Sequence, residues 1–265
     1  MTRVSADRSA SLPWATEMVK SALVVTGPPS SLAPGDEVFG LPRHPLPAGT
    51  YAEYVTSPAR HLVRKPEALT HEQAAALPLA ALTAWQALVD VAQVRMGQRV
   101  LIHAAAGGVG HLAVQIAKAR GAQVIGTART AKHAFLRGLG ADELIDYTEA
   151  DFETAIEPVD AVIDTIGGSY GPRSLRALRP GGVLVSLASP GEAYLADEAA
   201  TLGLRAAFMI VEADQAGMRE IAALVASDRL RPEIDTVLPL DQAAKAHELA
   251  DSRRTTGKIV LSVAS

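Results

Sequence analysis

The chain contains no cysteine among its 265 residues. This absence excludes disulfide bonds, a thiolate nucleophile and any zinc site that needs sulfur ligands. Seven histidines remain, but no two of them lie within four residues of each other, so the sequence contains no helical pair of metal ligands. The sequence therefore predicts that the protein binds no metal.

Long apolar runs and clusters of positive charge are also missing. No stretch approaches the roughly eighteen apolar residues of a membrane-spanning helix, and the opening residues lack the apolar core of a secretory signal. The formal net charge is -4, and no run of Lys and Arg occurs, which argues against a nucleic acid or an anionic membrane as partner. We therefore expect a cytoplasmic protein that binds a small molecule.

The hydrophobic residues, 48% of the chain, follow a repeating pattern from about residue 99 onward. A short β-branched run is followed by a glycine or polar turn and then by an amphipathic stretch rich in Ala and Leu. Predicted strands cover 99–104, 123–128, 143–147, 160–166, 182–188 and 204–211, and predicted helices cover 108–120, 131–140, 169–181 and 216–228. Apolar strands that alternate with helices predict an α/β fold with a Rossmann-type, doubly wound parallel sheet.

The first 78 residues have a different composition. Proline and glycine are frequent there, with only short strands such as GDEVFG (35–40) and TYAEYV (50–55), which indicates an antiparallel β region. After about residue 236 the chain reads as one helix and a final strand. We expect a β domain at 1–78, an α/β domain at 79–236, and a C-terminal unit at 237–265 that returns to the β domain.

The run AAAGGVG (104–110) lies between the first predicted strand of the sheet and a predicted helix. Its pattern is A-x-G-x-x-G, a dinucleotide-binding fingerprint with alanine in place of the first glycine. Gly107 and Gly108 would let the main chain approach a diphosphate, which the helix N-terminus also attracts, and Gly110 would let the helix pack closely on the strand. The alternative is a tight strand-to-helix turn that holds no ligand.

The turn after the second predicted strand indicates which dinucleotide is bound. NAD sites usually carry an acidic residue that binds the ribose hydroxyls, whereas this chain has Arg129 and Lys132 and no carboxylate before Asp142. Two cations suit a 2′-phosphate, because guanidinium binds phosphate through charge-assisted hydrogen bonds. The sequence therefore favours NADPH over NADH, although the two cations could instead be solvated loop residues.

Several segments occur in an order that resembles the medium-chain dehydrogenase/reductase superfamily, most of all its zinc-independent quinone oxidoreductase branch. The segments are APGDEVFG, GTYAEYV, AAALPLAALTAWQAL, VLIHAAAGGVG, DTIGG and TGKIVL. The resemblance implies a Rossmann domain paired with a GroES-like β domain, with NADPH in the cleft between them. It also implies reduction of a quinone or an α,β-unsaturated carbonyl by hydride transfer.

The resemblance also implies roles for individual residues. Thr83 either faces the nicotinamide or bonds to its own helix backbone, and Ala188, in the segment LASP, lies in a loop that meets the nicotinamide amide. Tyr147 joins the two cations around the 2′-phosphate, and Gly167, followed by Gly168, lies after the fourth strand. The expected cofactor-binding residues are Thr83, Ala106, Gly107, Gly108, Val109, Gly110, Arg129, Lys132, Tyr147, Gly167 and Ala188.

Three other polar residues receive a structural or a catalytic interpretation. Asp164 is expected to end a strand, and His103 to be a core residue at the edge of the sheet. Tyr51 matches a family position in the substrate pocket, where its phenol could donate a hydrogen bond to the carbonyl oxygen that becomes negative during hydride transfer. It could instead be a packing residue on a strand, with Tyr54 on the opposite face.

The largest departure from the family pattern lies at the front of the chain. Only about thirty residues precede PGDEVFG, so the resemblance implies a GroES-like domain that is truncated and lacks much of the substrate cleft. The chain could be an active reductase, a non-catalytic NADPH-binding sensor or partner subunit, or a fragment whose true start lies upstream. We expect a homodimer, because a truncated β domain exposes strand edges and apolar surface.

Overall fold

The computed structural model describes residues 32–188 and 194–263. The strands in these ranges are β1 (Val38–Gly40), β2 (Leu62–Arg64), β3 (Arg99–Ile102), β4 (Gln123–Thr127), β5 (Glu143–Ile145), β6 (Val159–Asp164), β7 (Leu178–Ser186), β8 (Arg205–Phe208), β9 (Ile234–Pro239) and β10 (Lys258–Ser262). The α-helices are α1 (His71–Ala75), α2 (Pro78–Trp85), α3 (Gly110–Ala119), α4 (His133–Gly138), α5 (Phe152–Ala155), α6 (Tyr170–Ala177), α7 (Tyr194–Thr201), α8 (Gln215–Ala226) and α9 (Ala243–Asp251).

Six parallel strands form the central sheet, in the spatial order β5-β4-β3-β6-β7-β8. The chain starts at β3 in the middle, runs outward to β5, and returns to β6 on the other side of β3. This order is the doubly wound arrangement that the alternating pattern predicts. The predicted α/β fold is confirmed.

Hydrophobic side chains cover both faces of this sheet. Along β3, Val100 and Ile102 belong to one buried cluster and Leu101 to another, because successive side chains of a strand point to opposite faces. The first cluster includes side chains of α2, α3 and α8, and the second includes side chains of α6 and α7. Burial on both faces explains why the inner strands read as continuous apolar runs.

Two smaller pairs of strands lie outside the central sheet. The strands β1 and β2 pair antiparallel, and β10 pairs in parallel with β9. The final strand therefore does not pair with the N-terminal strands in the described ranges, although Val260 and Leu261 pack against Ala75 and Ala76 around α1. None of the helices in the described ranges is long and apolar enough to span a membrane.

Two sequence-based predictions of secondary structure are wrong. Residues 50–55 form no strand: 51–53 are bends, and 50, 54 and 55 have no regular secondary structure. No strand of the described ranges pairs with this segment, so it lacks the cross-strand hydrogen bonds of a sheet. The helix expected to continue to Gly181 ends at Ala177, and the chain is already extended at Leu178, with ψ of 142°. Pro180 prevents the helix from reaching Gly181, because a proline disfavours helical geometry at the residue before it, Arg179.

His103 is fully buried, as expected for a core residue, and it lies at the carboxyl edge of the sheet rather than on an outer strand. It follows β3, which lies between β4 and β6, so it occupies the carboxyl end of a central strand. Its Nδ1 lies 3.2 Å from Thr127 Oγ1 and its Nε2 lies 3.0 Å from Ser174 Oγ. Burial, assisted by the charge of Arg173, lowers the pKa of His103 to about 3.

The buried His103 should make folding stability depend on pH. An unfolded histidine gains its proton near pH 6.5, whereas folded His103 gains it only near about 3. Between these values the unfolded chain binds more protons, so the free energy of unfolding should fall as the pH falls, by about 1.4 kcal/mol per pH unit from this group. Urea unfolding between pH 7 and roughly 4 measures this slope, which His103→Gln should reduce by that amount.

His71 provides the control because its side chain is 53% exposed. His71→Gln should leave the slope close to that of the parent protein. An unchanged slope in a folded His103→Gln variant would contradict the assignment of a neutral, buried imidazole.

Candidate functional site

The run 104–110, which we call the glycine turn, joins the carboxyl end of β3 to the N-terminus of α3. Ala104 adopts a left-handed conformation with φ of 45°, and the Gly107 N–H donates to the Ala104 carbonyl at 2.8 Å. A Cβ on Gly110 would collide with the Ala104 carbonyl oxygen and would lie 2.7 Å from the Cα of Ala105. Only glycine therefore allows α3 to start this close to the turn, as the spacing of the motif predicts.

His111 ties this turn to the segment that leads into β9. Its Nδ1 lies 2.8 Å from the Gly107 carbonyl oxygen, and the Glu233 N–H lies 3.1 Å from its Nε2. A carbonyl only accepts and an N–H only donates, so Nδ1 carries the proton and Nε2 is the acceptor. Burial lowers the pKa of His111 to about 4, against the opposing effect of the Gly107 hydrogen bond, so the imidazole is neutral at physiological pH.

Lys258, at the start of β10, lies against the same turn. A Cβ on Gly108 would lie 3.1 Å from its Cδ and 3.5 Å from its Nζ. The preceding residue, Gly257, donates its N–H to the Ala106 carbonyl at 2.9 Å. Lys258 is 8% exposed, and burial lowers its pKa to about 8. The turn therefore has a buried ammonium group as a close neighbour.

Most of the predicted cofactor residues lie at one edge of the sheet. The glycine turn follows β3, Arg129 follows β4, Tyr147 follows β5, Gly167 follows β6, and Ala188 follows β7. The carboxyl ends of parallel strands meet at this edge, and β3 and β6 are the neighbours from which the chain winds in opposite directions. Ligands of doubly wound folds bind at such a switch point.

The three residues expected around a 2′-phosphate make contacts at this edge. The Arg129 Nε donates to the Tyr147 hydroxyl at 3.2 Å. The Lys132 ammonium donates to Thr256 Oγ1, which lies in the loop before β10. The structure therefore brings Arg129 and Tyr147 into contact and joins Lys132 to the C-terminal segment.

Asp164 ends β6, as expected, and organises the turn that follows. Its Oδ1 accepts hydrogen bonds from the N–H groups of Ile166 at 2.9 Å and Gly167 at 3.0 Å. Gly167 and Gly168 both have positive φ, 74° and 60°, which favours glycine at each position. Of the segment LASP, residues 187 and 188 are described and half-buried, whereas 189 and 190 lie outside the described residues.

Thr83 makes the backbone hydrogen bond that was one of its two expected interpretations. It lies on α2, and its hydroxyl donates to the Leu79 carbonyl at 2.6 Å. The hydroxyl oxygen can still accept a hydrogen bond, so a contact with the nicotinamide stays a prediction.

Tyr51 lies in the bend at 51–53 rather than on a strand, and it is 40% exposed. Its hydroxyl lies 3.1 Å from the Nε2 of His247, on α9. Tyr54 is 87% exposed. The expected alternation of the two rings on opposite strand faces does not apply, because the strand is absent.

The described ranges contain no group of three His, Asp or Glu side chains that could hold a metal ion. A groove of about 340 Å³ opens beside the C-terminal half of α3, lined in part by Gln115, Lys118, Arg229 and Arg231. The glycine turn lies at the other end of this helix.

The arrangement around the turn suits the diphosphate of a dinucleotide. The first N–H groups of a helix have no partner within the helix, and its dipole attracts an anion there. The ten-residue α3 starts at the turn, and the Lys258 ammonium lies beside it. Backbone donors and a buried cation are the chemistry that a diphosphate requires. The fold defines a Rossmann-type α/β protein, and the turn is its candidate dinucleotide site.

Comparison with known proteins identifies the family. The family model described as zinc-binding dehydrogenase matches residues 139–261. The solved quinone oxidoreductase from Coxiella burnetii is 41% identical, with a TM-score of 0.84 over 89% of this chain and 74% of that chain. The chain belongs to the medium-chain dehydrogenase/reductase superfamily of oxidoreductases, whose members use a nicotinamide cofactor. The resemblance recognised in the sequence is confirmed.

Other relatives include an enoyl reductase and a polyketide synthase. The solved CurK enoyl reductase is 30% identical, with a TM-score of 0.77 over 89% of this chain and 74% of that chain. The spectinabilin polyketide synthase system protein NorB of Streptomyces orinoci is 38% identical over 88% of this chain. The chain spans only 11% of the length of NorB.

Sequence reasoning missed Lys258 and His111 as neighbours of the turn. The available signal for Lys258 was a lysine at the start of the apolar strand KIVL, directly after a glycine. His111 is the second residue of α3, where a polar side chain can reach back to the turn. Neither signal identifies the contact that the residue makes, because Lys258 and the turn, like His111 and Glu233, are more than a hundred residues apart in the sequence.

Removal of the Lys258 charge should weaken cofactor binding. Lys258→Met should raise the Kd of the nicotinamide cofactor about tenfold or more, as expected for a lost charge-assisted hydrogen bond. Since Lys258 loses its proton near pH 8 when no cofactor is bound, the affinity of the parent protein should fall as the pH rises through 8. Isothermal titration calorimetry at several pH values measures both effects.

Two further variants test the charge itself. Lys258→Arg keeps a cation at high pH, so its affinity should lose the dependence on pH near 8. Lys245→Met, at an exposed position of α9, should bind as the parent protein does. Equal affinities in Lys258→Met and Lys245→Met would exclude a role for the buried ammonium.

Proposed function

We propose that the protein is an NADPH-dependent oxidoreductase that reduces a quinone or an α,β-unsaturated carbonyl by hydride transfer, without zinc. The observation that carries the proposal is the contact between Arg129 and Tyr147, next to Lys132, at the same sheet edge as the glycine turn. Two cations and a phenol at the second turn suit a 2′-phosphate.

The position of Asp142 supports the choice of NADPH over NADH. It precedes β5, and its carboxylate accepts from the Val124 N–H at 2.7 Å and pairs with Lys118 at 2.8 Å. These contacts hold it at the amino end of the strands, opposite the edge where the glycine turn lies. Asp142, the first carboxylate after β4, therefore lies too far from the glycine turn to bind a ribose hydroxyl of a cofactor bound there.

Arg129→Ala should remove the preference for NADPH. The Kd of NADPH should rise about tenfold or more with loss of the guanidinium, while the Kd of NADH changes by less than about twofold. Fluorescence titration with both cofactors measures the ratio. Arg137→Ala removes the same charge from an exposed position of α4 and should leave the ratio unchanged. A parent protein that binds both cofactors equally would refute the assignment of NADPH.

The substrate class rests on the similar proteins and on the chemistry that the chain can supply. One relative is a quinone oxidoreductase and another an enoyl reductase. When bound, the reduced nicotinamide supplies the hydride. The acceptor then needs a proton donor near its carbonyl oxygen, where negative charge develops. The Tyr51 phenol is the donor that we propose, with His247 in hydrogen-bond contact behind it.

A second candidate function is a non-catalytic NADPH-binding protein that acts as a sensor or a partner subunit. It is favoured by the exposure of Tyr51 and by the absence of a strand at 50–55. Hydride transfer needs a site that excludes water, and an exposed phenol in a bent segment does not by itself provide one. The two functions differ in whether any acceptor is turned over.

Turnover is tested by loss of NADPH absorbance with a panel of quinones and enones. Tyr51→Phe should lower kcat by about a hundredfold, as for loss of a donor to a developing oxyanion, while the Kd of NADPH stays unchanged. Tyr54→Phe, at a ring that is 87% exposed, should behave as the parent protein does. NADPH binding without turnover of any acceptor would favour the non-catalytic function.

A further inference from the structure

A single carboxylate ties together the two loops that carry Arg129 and Tyr147. The Thr130 N–H and hydroxyl both donate to Asp146 Oδ2, each at 2.6 Å. The Thr148 N–H and hydroxyl donate to Asp146 Oδ1 at 2.9 and 2.6 Å. Thr130 follows β4 and Asp146 follows β5, so the carboxylate bridges two neighbouring strand ends.

Four hydrogen bonds give each oxygen of Asp146 two donors. The bonds from Thr130 and then Thr148 hold the pKa of this carboxyl well below its usual range, so it is ionised throughout the physiological range. An acidic residue at this edge would be the expected ligand of a ribose hydroxyl in an NAD site. Here the lone pairs of the carboxylate already accept hydrogen bonds from Thr130 and Thr148, so Asp146 joins the two loops instead of binding a ribose.

These hydrogen bonds to Asp146, the tie between the two loops, also position the residues that neighbour Thr130 and Asp146 in the sequence. Arg129 is the neighbour of Thr130 and Tyr147 is the neighbour of Asp146, and the Arg129 Nε donates to the Tyr147 hydroxyl at 3.2 Å. The Ala128 N–H also donates to the Ile145 carbonyl at 3.0 Å. The exposed guanidinium and phenol are thus linked by the half-buried Asp146 carboxylate, by exposed threonines and by a backbone pair between buried residues.

We propose that Asp146 is a positioning residue that selects the phosphorylated cofactor by holding Arg129 and Tyr147 together as a preformed 2′-phosphate site. This inference rests on the proposed preference for NADPH. Preformed geometry raises affinity because the loops lose less conformational freedom when the phosphate binds. The nicotinamide and diphosphate ends of the cofactor do not depend on this tie.

Charge alone makes the opposite prediction. Asp146 is negative and lies close enough to act on the Arg129 guanidinium, so it also repels a phosphate at this site. If repulsion were its main effect, removal of the carboxylate would tighten the binding of NADPH. If positioning is its main effect, removal should weaken the binding of NADPH and spare NADH.

Binding of two nucleotide fragments tests the proposal without any turnover. Adenosine 2′,5′-bisphosphate carries the 2′-phosphate, and adenosine 5′-monophosphate lacks it. Asp146→Ala should weaken the bisphosphate by about tenfold, as for a lost charged contact, and the monophosphate by less than about twofold. Calorimetric titrations of both fragments, repeated with NADPH and NADH, give the four affinities.

Two other variants separate position from charge. The double variant Thr130→Val with Thr148→Val keeps the carboxylate but removes its two hydroxyl donors, and it should weaken the bisphosphate in the same direction as Asp146→Ala. Glu149→Ala removes a nearby exposed carboxylate that does not bridge the loops, and it should not weaken bisphosphate binding. Circular dichroism and thermal unfolding confirm that each variant is folded.

The possible results have distinct meanings. Tighter or unchanged bisphosphate binding in Asp146→Ala would overturn the positioning role. Equal weakening of both fragments in a folded variant would overturn the selective role and make Asp146 a general support of the nucleotide site. A parent protein that does not prefer the bisphosphate over the monophosphate would refute the proposed cofactor, and this inference with it.

Discussion

The close packing of α3 on the turn after β3 is the constraint on which the site depends. It is possible only because Gly110 has no side chain, since a Cβ there would overlap the Ala104 carbonyl. The contact sets the direction of the helix axis, and with it the direction of the helix dipole whose positive end lies at the turn. The sheet contributes by placing this turn at the switch point between β3 and β6.

The C-terminal segment, which is distant in sequence, contacts the same site. The Gly257 N–H donates to the Ala106 carbonyl, and the Glu233 N–H donates to the His111 imidazole. The Lys258 side chain lies against Gly108. Each contact joins the glycine turn to residues more than a hundred positions further along the chain. The burial of Lys258 strengthens the attraction of its charge for an anion and also lowers its pKa, because a low-dielectric environment disfavours the charged form of an amine.

The sequence predicts the parts of this architecture that local patterns determine. The runs that became β3, β4 and β6 are apolar because both faces of the sheet are covered, and the turn is recognisable because glycine is needed at fixed spacings. The segment 50–55 shows the limit of such reasoning, since alternation shows that a segment can fit a sheet but not that a partner strand exists. Lys258 and Asp146 show another limit, because their roles arise from contacts that only the folded chain creates.

The two halves of the proposed active site differ in how firmly the described residues hold them. The nucleotide side is fixed by glycine contacts, a neutral buried histidine and a bridging carboxylate, whereas the substrate side is represented by Tyr51 and His247 in a hydrogen bond near the surface. A solvent-accessible bond of this kind contributes only about 0.5–1.5 kcal/mol. Loss of this one bond to His247 would therefore cost little if the Tyr51 phenol turned to an acceptor carbonyl, as its proposed role of proton donor requires.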